Sequence, residues 1–270
     1  VSTIKKAIIP AAGYGTRNLP ITKVIPKEMF PIMGKPAIHY IVEEAVESGI
    51  EEILIIVSRN KNMIIDYFDR SLELEAFLTQ VNKGHLIEKT ASPDVHIQFI
   101  RQPYAKGLGD AIKLGKRFIG DEPFAILLPD DLFFDSKKPA LSQLIDVYNR
   151  HHSNVLALQK VKNEHLKNYG VIKEEFISDS LYKVSDIVEK PKTNPPSNLA
   201  VNGRYILKPE IFTCLEKLRP GSGGELQLTD AIKQLLLDQT FYGSILTGAH
   251  FDIGKEEEYI ELILKMNNLK

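Results

Sequence analysis

The stretch IIPAAGYGTRNLPITKVIPKEMFPIMGKPAIHY, residues 8–40, begins as a buried strand and then changes character. Two isoleucines run into small residues, Gly13 and Gly15 flank Tyr14, and Arg17, Lys23 and Lys27 arrive among four prolines before a helix can start. Glycines at a strand end let the backbone approach a ligand and leave N–H groups free to meet oxygens. Arg17 adds a planar fork for phosphate and Lys27 a point charge. In outline this is a cradle for a triphosphate. It is neither familiar loop: GxxxxGK[ST] is absent, and the third glycine of the dinucleotide fingerprint would fall at Asn18. A bare GxG is equally a turn flanked by solvated basic side chains; Thr16, Arg17 and the PKEMxP tail weigh against that.

Working outward, short apolar runs alternate with amphipathic segments. Residues 6–12, 53–58, 97–101 and 124–129 read as strands buried on both faces. Helices are expected at 36–48, 62–69, 108–119 and 139–150; in the first, Ile38, Ile41, Val42, Ala45 and Val46 share a face, Pro36 suits the first turn and Gly49 the end. The alternation predicts an α/β, Rossmann-like doubly wound sheet, mixed but mostly parallel and flanked by helices. Beyond about residue 150 the pattern loosens, with strands at 154–161, 183–189, 199–207 and 243–247 and helices at 209–217 and 227–237. Residues 70–95 read as an elaboration of the sheet edge, 191–198 as a loop within one domain, and His151–His152 as a solvated helix end.

Of the 270 residues 43% are hydrophobic, enough for a large core, while 34 basic and 35 acidic side chains nearly cancel. That balance carries no footprint of a nucleic-acid binder. Cys214 is the single cysteine, and neither a leader nor a long apolar run is visible, so a soluble cytoplasmic protein without a membrane partner is expected.

GYGTRNLPITKVIPKEMFPIMGKP resembles the signature of the sugar-nucleotide pyrophosphorylases, in the form found in their uridylyl branch. The likeness continues through RQPYAKGLGDAI (101–112), LLPDD (127–131), YGV (169–171), VEKP (188–191), SNLAVNGRYIL (197–207) and GELQLTDAI (224–232). It implies one nucleotidyltransferase domain over 1–270 of glycosyltransferase-A-like type, with a nucleotide-binding half (1–150) and a half holding the sugar phosphate and oligomerisation elements (151–270). The implied reaction joins UTP and glucose 1-phosphate into UDP-glucose and pyrophosphate, by in-line attack of the sugar phosphate on the α-phosphorus. That nucleophile is already ionised, so positioning and charge neutralisation suffice without a general base.

Position by position, the resemblance implies that Ala12, Gly13, Gly15, Thr16, Arg17, Gln102, Gly107 and Asp130 bind the nucleotide, with Arg17 and Lys27 on the triphosphate. The Gln102 amide can pair with a uracil edge. Lys190 takes the sugar phosphate, with Gly170, Glu189 and Asn202 lining the sugar pocket and Glu225 further out. Asp130, following an apolar strand, and Asp252 are the expected ligands of Mg2+, with Asp131, whose position varies within the family, next to the first; carboxylates without a Cys/His cluster favour Mg2+ over zinc. Asn202 and Asp110 depart from the family pattern, where an apolar residue and a histidine are common. A homodimer or homotetramer is implied, and the amphipathic segment 256–266 agrees with it. Two other readings remain open: a thymidylyltransferase or an enzyme of another hexose phosphate, since one methyl group separates uracil from thymine, and a non-catalytic nucleotide-sugar sensor on the same fold.

Overall fold

The computed structural model describes residues 4–221 and 224–268. Its strands are β1 Lys6–Ala11, β2 Pro31–Ile32, β3 Lys35–Pro36, β4 Glu52–Val57, β5 His96–Arg101, β6 Phe124–Leu127, β7 Asp131–Phe134, β8 Asn154–Lys160, β9 Gly170–Ser178, β10 Leu181–Glu189, β11 Leu199–Leu207, β12 Phe241–Ile245 and β13 Ala249–Asp252. The helices are α1 Ala37–Glu47, α2 Asn62–Phe68, α3 Leu72–Gln80, α4 Leu108–Leu114, α5 Lys116–Ile119, α6 Ala140–His151, α7 Ile211–Lys217, α8 Leu228–Leu235 and α9 Glu256–Asn268.

Nine strands form one sheet in the order β5-β4-β1-β6-β11-β8-β12-β10-β9. The pairs β5–β4, β4–β1, β1–β6 and β8–β12 are parallel. The pairs β6–β11, β11–β8, β12–β10 and β10–β9 are antiparallel, and β9 turns back onto β11 in the same sense, closing the last five strands into a small barrel. The expectation of a mostly parallel sheet is therefore corrected, since antiparallel pairings outnumber parallel ones. The reason lies in the connections: a parallel neighbour needs a long crossover, whereas Asp179 and Ser180 alone join β9 to β10 and so impose a hairpin.

The parallel part follows from the residues. Ile8, Ile9, Ile53, Ile55, Ile56 and Phe124 are buried between layers, each side chain worth about 1.5–3 kcal/mol relative to exposure. Helix α1 turns Ile38, Ile41, Val42 and Ala45 inward and stops at Ser48 and Gly49, where the Ile50 N–H returns to the Ala45 carbonyl at 3.1 Å. Residues 70–95 carry α3 and a 3-10 turn at Gly84–Thr90, between β4 and its neighbour, the edge strand β5. His152 is exposed at the end of α6, while His151 packs on Tyr242 with ring centroids 4.2 Å apart. Among the described residues no helix is long and apolar enough to cross a membrane.

A ribbon of β7 and β13 sets Asp252 opposite Asp131, bringing distant parts of the chain together. Strand β11, buried throughout, keeps β8 on one edge across an irregularity between Val201 and Tyr205 while its other edge passes from β9 to β6, and Gly203 there has φ 76°. A Cβ there would fall 2.3 Å from Asp131 Oδ2 and 2.7 Å from its Cβ. Gly203→Ala meets both a left-handed backbone and a clash, so denaturant unfolding is expected to show a loss of about 2 kcal/mol or more; native stability in that variant would remove the constraint.

Candidate active site

A cavity of about 660 Å³ opens beside the β7–β13 ribbon and the irregularity of β11, lined by Arg17, Asp130, Asp131, Gly170, Glu189, Lys190, Asn202, Glu225, Thr229, Asp252 and Lys255 among others. One wall is a cluster of opposite charges. Arg17 lies in a single 3-10 turn, Thr16–Asn18, which Gly15 enters with φ 65°, and Thr22 ties the turn by donating to the Gly15 carbonyl at 2.8 Å. Its guanidinium reaches Asp252 Oδ2 at 3.1 Å and Asp130 Oδ2 at 3.7 Å, so one fork stands between two carboxylates. Lys27, heading another 3-10 turn, bonds Asp130 from a largely buried position.

These pairings set the charge states. Burial pushes the Asp130 carboxyl up, but the Lys27 charge and hydrogen bond, with Arg17, outweigh it and hold the group below its ordinary value. Lys27 is held above its ordinary value because Asp130 and Glu28 outweigh its desolvation. Asp252 goes the other way: burial, then repulsion from Asp131 and Asp130, raise it, and half-exposed Arg17 only partly offsets them. Asp252 Oδ1 also accepts the Gly254 N–H at 2.9 Å.

Around the same cavity lies a second group. Glu189 ends β10 and accepts from Thr229 of α8 at 2.7 Å; a Cβ at Gly170 would fall 3.2 Å from that threonine oxygen. Lys190 comes next in the chain with φ 46°, a left-handed conformation costly for a side-chain-bearing residue. Its side chain is about half exposed (54%), and its ammonium lies 3.3 Å from Glu189. Asn202 is buried, and its Oδ1 has no hydrogen-bond partner among the described residues.

Ala12, Gly13, Gly15, Thr16, Lys27, Gln102 and Gly107 lie outside this lining. Ala12 and Gly13 come directly after β1, and Gln102 directly after β5 with its amide nitrogen donating to Asp110 at 2.8 Å. Gly107 has φ 100°, and a Cβ there would meet the Leu226 carbonyl at 2.6 Å, so only glycine lets the segment carrying Glu225 dock here. Among residues not singled out from sequence, Lys255 enters the wall, while His250, Lys61 and Glu28 lie outside the lining. Lys255 bonds the Tyr169 hydroxyl and Glu258, each at 2.7 Å, and lies 3.7 Å from Asp252. His250 contacts Asp131 at 2.6 Å, and Lys61 forms a buried pair with Glu28 at 2.7 and 2.8 Å. The signal for the last was a lysine and a glutamate beside apolar runs, each needing a partner if buried.

Among the described residues no group of three His, Cys, Asp or Glu side chains stands ready to enclose a metal ion. Two carboxylates flanking one cation instead suit a hard cation whose shell is completed by phosphate oxygens and water.

The chain is similar to known proteins in both sequence and structure. Residues 6–268 match the nucleotidyl transferase family. A Bacillus subtilis protein, named provisionally as a UTP–glucose-1-phosphate uridylyltransferase, is 59% identical over 97% of each chain. A UTP–glucose-1-phosphate uridylyltransferase of Staphylococcus epidermidis is 47% identical, over 97% of this chain and 92% of its own. A solved UDP-glucose pyrophosphorylase complexed with UDP-glucose is 42% identical and superposes with a TM-score of 0.88, covering 99% of this chain and 100% of that one.

The opposed shifts of the two aspartates predict opposite effects on stability. Asp130, depressed, contributes stability that is complete above about pH 4 and is lost as pH falls through its native value. Asp252, raised, costs stability that builds as pH rises past its unfolded value of about 4 and is complete above its native value. At pH 7 ligand-free Asp130→Asn should melt below the native protein and Asp252→Asn at or above it, both differences shrinking in acid. An Asp252→Asn variant melting well below native would contradict this charge assignment.

Proposed function

The chain belongs to the nucleotidyl transferase family, among the UTP–glucose-1-phosphate uridylyltransferases, and we infer that it transfers UMP from UTP to glucose 1-phosphate, giving UDP-glucose and pyrophosphate. The observation that carries this reading at the residue level is one cavity with the Arg17–Asp130–Asp252 cluster on its wall and Glu189, Lys190 and Thr229 around it. Such a site needs two substrates, both anionic, and enough fixed charge to hold them together.

On this reading the half containing the opening stretch takes UTP. The ends of β1 and β5, with Ala12, Gly13, Gln102 and Gly107, receive the base; Gly15, Thr16, Arg17 and Lys27 receive the phosphates. The Arg17 fork suits two non-bridging oxygens at once, and Lys27 gives a compact charge. Lys190 takes the phosphate of glucose 1-phosphate and aims its oxygen at the α-phosphorus, while Glu189 and Asn202, beside Gly170, meet sugar hydroxyls. Asp130 and Asp252 would hold Mg2+, which when bound draws negative charge from the triphosphate. The residues supply orientation and charge neutralisation as charge redistributes from the attacking to the leaving oxygen. No proton need be abstracted, because the attacking phosphate is already ionised.

Pyrophosphate release from each nucleoside triphosphate with glucose 1-phosphate tests the reaction, UTP being the expected best donor. Lys190→Ala tests the division of the site. Its half-exposed side chain can be truncated without unfolding the protein, so kcat/KM for glucose 1-phosphate should fall roughly 10- to 100-fold, the worth of a hydrogen bond to a charged group. UTP affinity with Mg2+, read by calorimetry, should change by less than about tenfold. Loss of UTP binding in this variant would move Lys190 to the nucleotide.

A further inference from the structure

Arg204 is wholly buried on β11 and stands among apolar residues, yet each of its five N–H groups has an acceptor. Nε donates to Glu44 Oε1 at 2.9 Å and Nη2 to Glu44 Oε2 at 2.7 Å, a bidentate pair across the core with α1. The remaining donors do something different. Nη2 also reaches the Asp131 carbonyl at 2.8 Å, and Nη1 reaches the carbonyls of Leu128 at 3.3 Å and Gly203 at 3.1 Å. One guanidinium thus grips both ends of the four-residue segment 128–131 that carries Asp130. Of the two carbonyls between them, that of Asp130 is fixed as well, since it accepts the Ile253 N–H at 2.9 Å.

A buried ion pair is weak evidence for stability, because apolar residues of the same volume often stabilise as much. What apolar residues cannot do is hold two carbonyls at a set separation. Phe133, whose ring centroid lies 5.0 Å from the guanidinium carbon, and Glu44, which also accepts the Leu141 N–H at 2.9 Å, keep the fork from turning.

We propose that Arg204, oriented by Glu44, is the positioning residue that fixes the Asp130 carboxylate for binding the divalent cation. The proposal rests on the reading of Asp130 as a cation ligand. Arg204→Lys keeps a charge for Glu44 but loses the planar fork, so one ammonium can no longer serve Glu44, Leu128 O and Asp131 O together. Glu44→Asp keeps the charge and shortens the reach by one methylene.

The test uses Mn2+ as the probe, its binding to the enzyme–UTP complex read by electron paramagnetic resonance, alongside calorimetry of UTP without divalent metal. Arg204→Lys should bind metal-free UTP within about twofold of native and hold Mn2+ about tenfold or more weakly, the usual consequence of losing a ligand's support. Its kcat at low Mn2+ should fall in step and recover as Mn2+ is raised. Glu44→Asp should shift Mn2+ affinity in the same direction by less; if Arg204→Lys does not fold, Glu44→Asp carries the same test. Native Mn2+ affinity in either folded variant overturns the proposal, as does an equal loss of metal-free UTP affinity, which marks a general structural role. Failure of the native enzyme–UTP complex to bind Mn2+ would instead remove Asp130 from the cation, and this role of Arg204 with it.

Discussion

Arg17 stands between Asp130 and Asp252, and the rest of the site is arranged so that this contact is affordable in a partly desolvated cavity. Lys27 meets the same Asp130 oxygen, Lys255 stands beside Asp252, and Glu258 bonds Lys255. The charges alternate along the wall, and they come from different elements: the opening stretch, the loop after β6, the end of β13 and the start of α9. A lone buried charge costs several kcal/mol, so each element depends on the others to be present. The fold makes that meeting possible through the β7–β13 ribbon, which places Asp252 opposite Asp131.

The same alternation bears on the proposed chemistry. Before substrate arrives, the cations proposed to hold the triphosphate neutralise the carboxylates proposed to hold Mg2+. On that assignment binding would be an exchange of partners: phosphate oxygens would take the place of Asp130 and Asp252 on Arg17 and Lys27, and Asp130 and Asp252 would be left to hold Mg2+. Either half of the exchange alone would strand buried charges of one sign and so would cost affinity. Donors already fixed at the wall need little reorganisation when charge moves, which is the condition for stabilising a transition state more than a ground state.

Much of this was legible in the residues, and the gaps have physical causes. The parallel half could be read because Ile-rich runs buried on both faces alternate with one-sided helices, as in β1 and α1. Strand β9 was not read: Lys173, Glu174 and Glu175 interrupt its apolar pattern, since half of the hairpin faces water. The ribbon was invisible because β7 and β13 are four residues long and far apart in sequence, too short for any periodicity. The sense of β11 could not be inferred either, as an apolar run does not reveal which way its neighbours point. Arg17, Asp130, Lys190 and Asp252 do share one cavity. Lys255 and the Glu44–Arg204 pair escaped notice because their meaning lies in contacts 160 residues apart for the pair, though an arginine inside VNGRYIL was itself a sign of a buried partner.

UTP binding to Asp130→Asn without divalent metal tests the exchange of partners most directly. Removing that carboxylate frees Lys27 and half of Arg17 before UTP arrives, so by calorimetry the variant should bind metal-free UTP more tightly than the native protein. With Mg2+ present the order should invert, the native protein binding more tightly. Metal-free affinity in Asp130→Asn equal to or below native would contradict the exchange, and would mean that the charge cluster holds the wall together without standing in for the substrates.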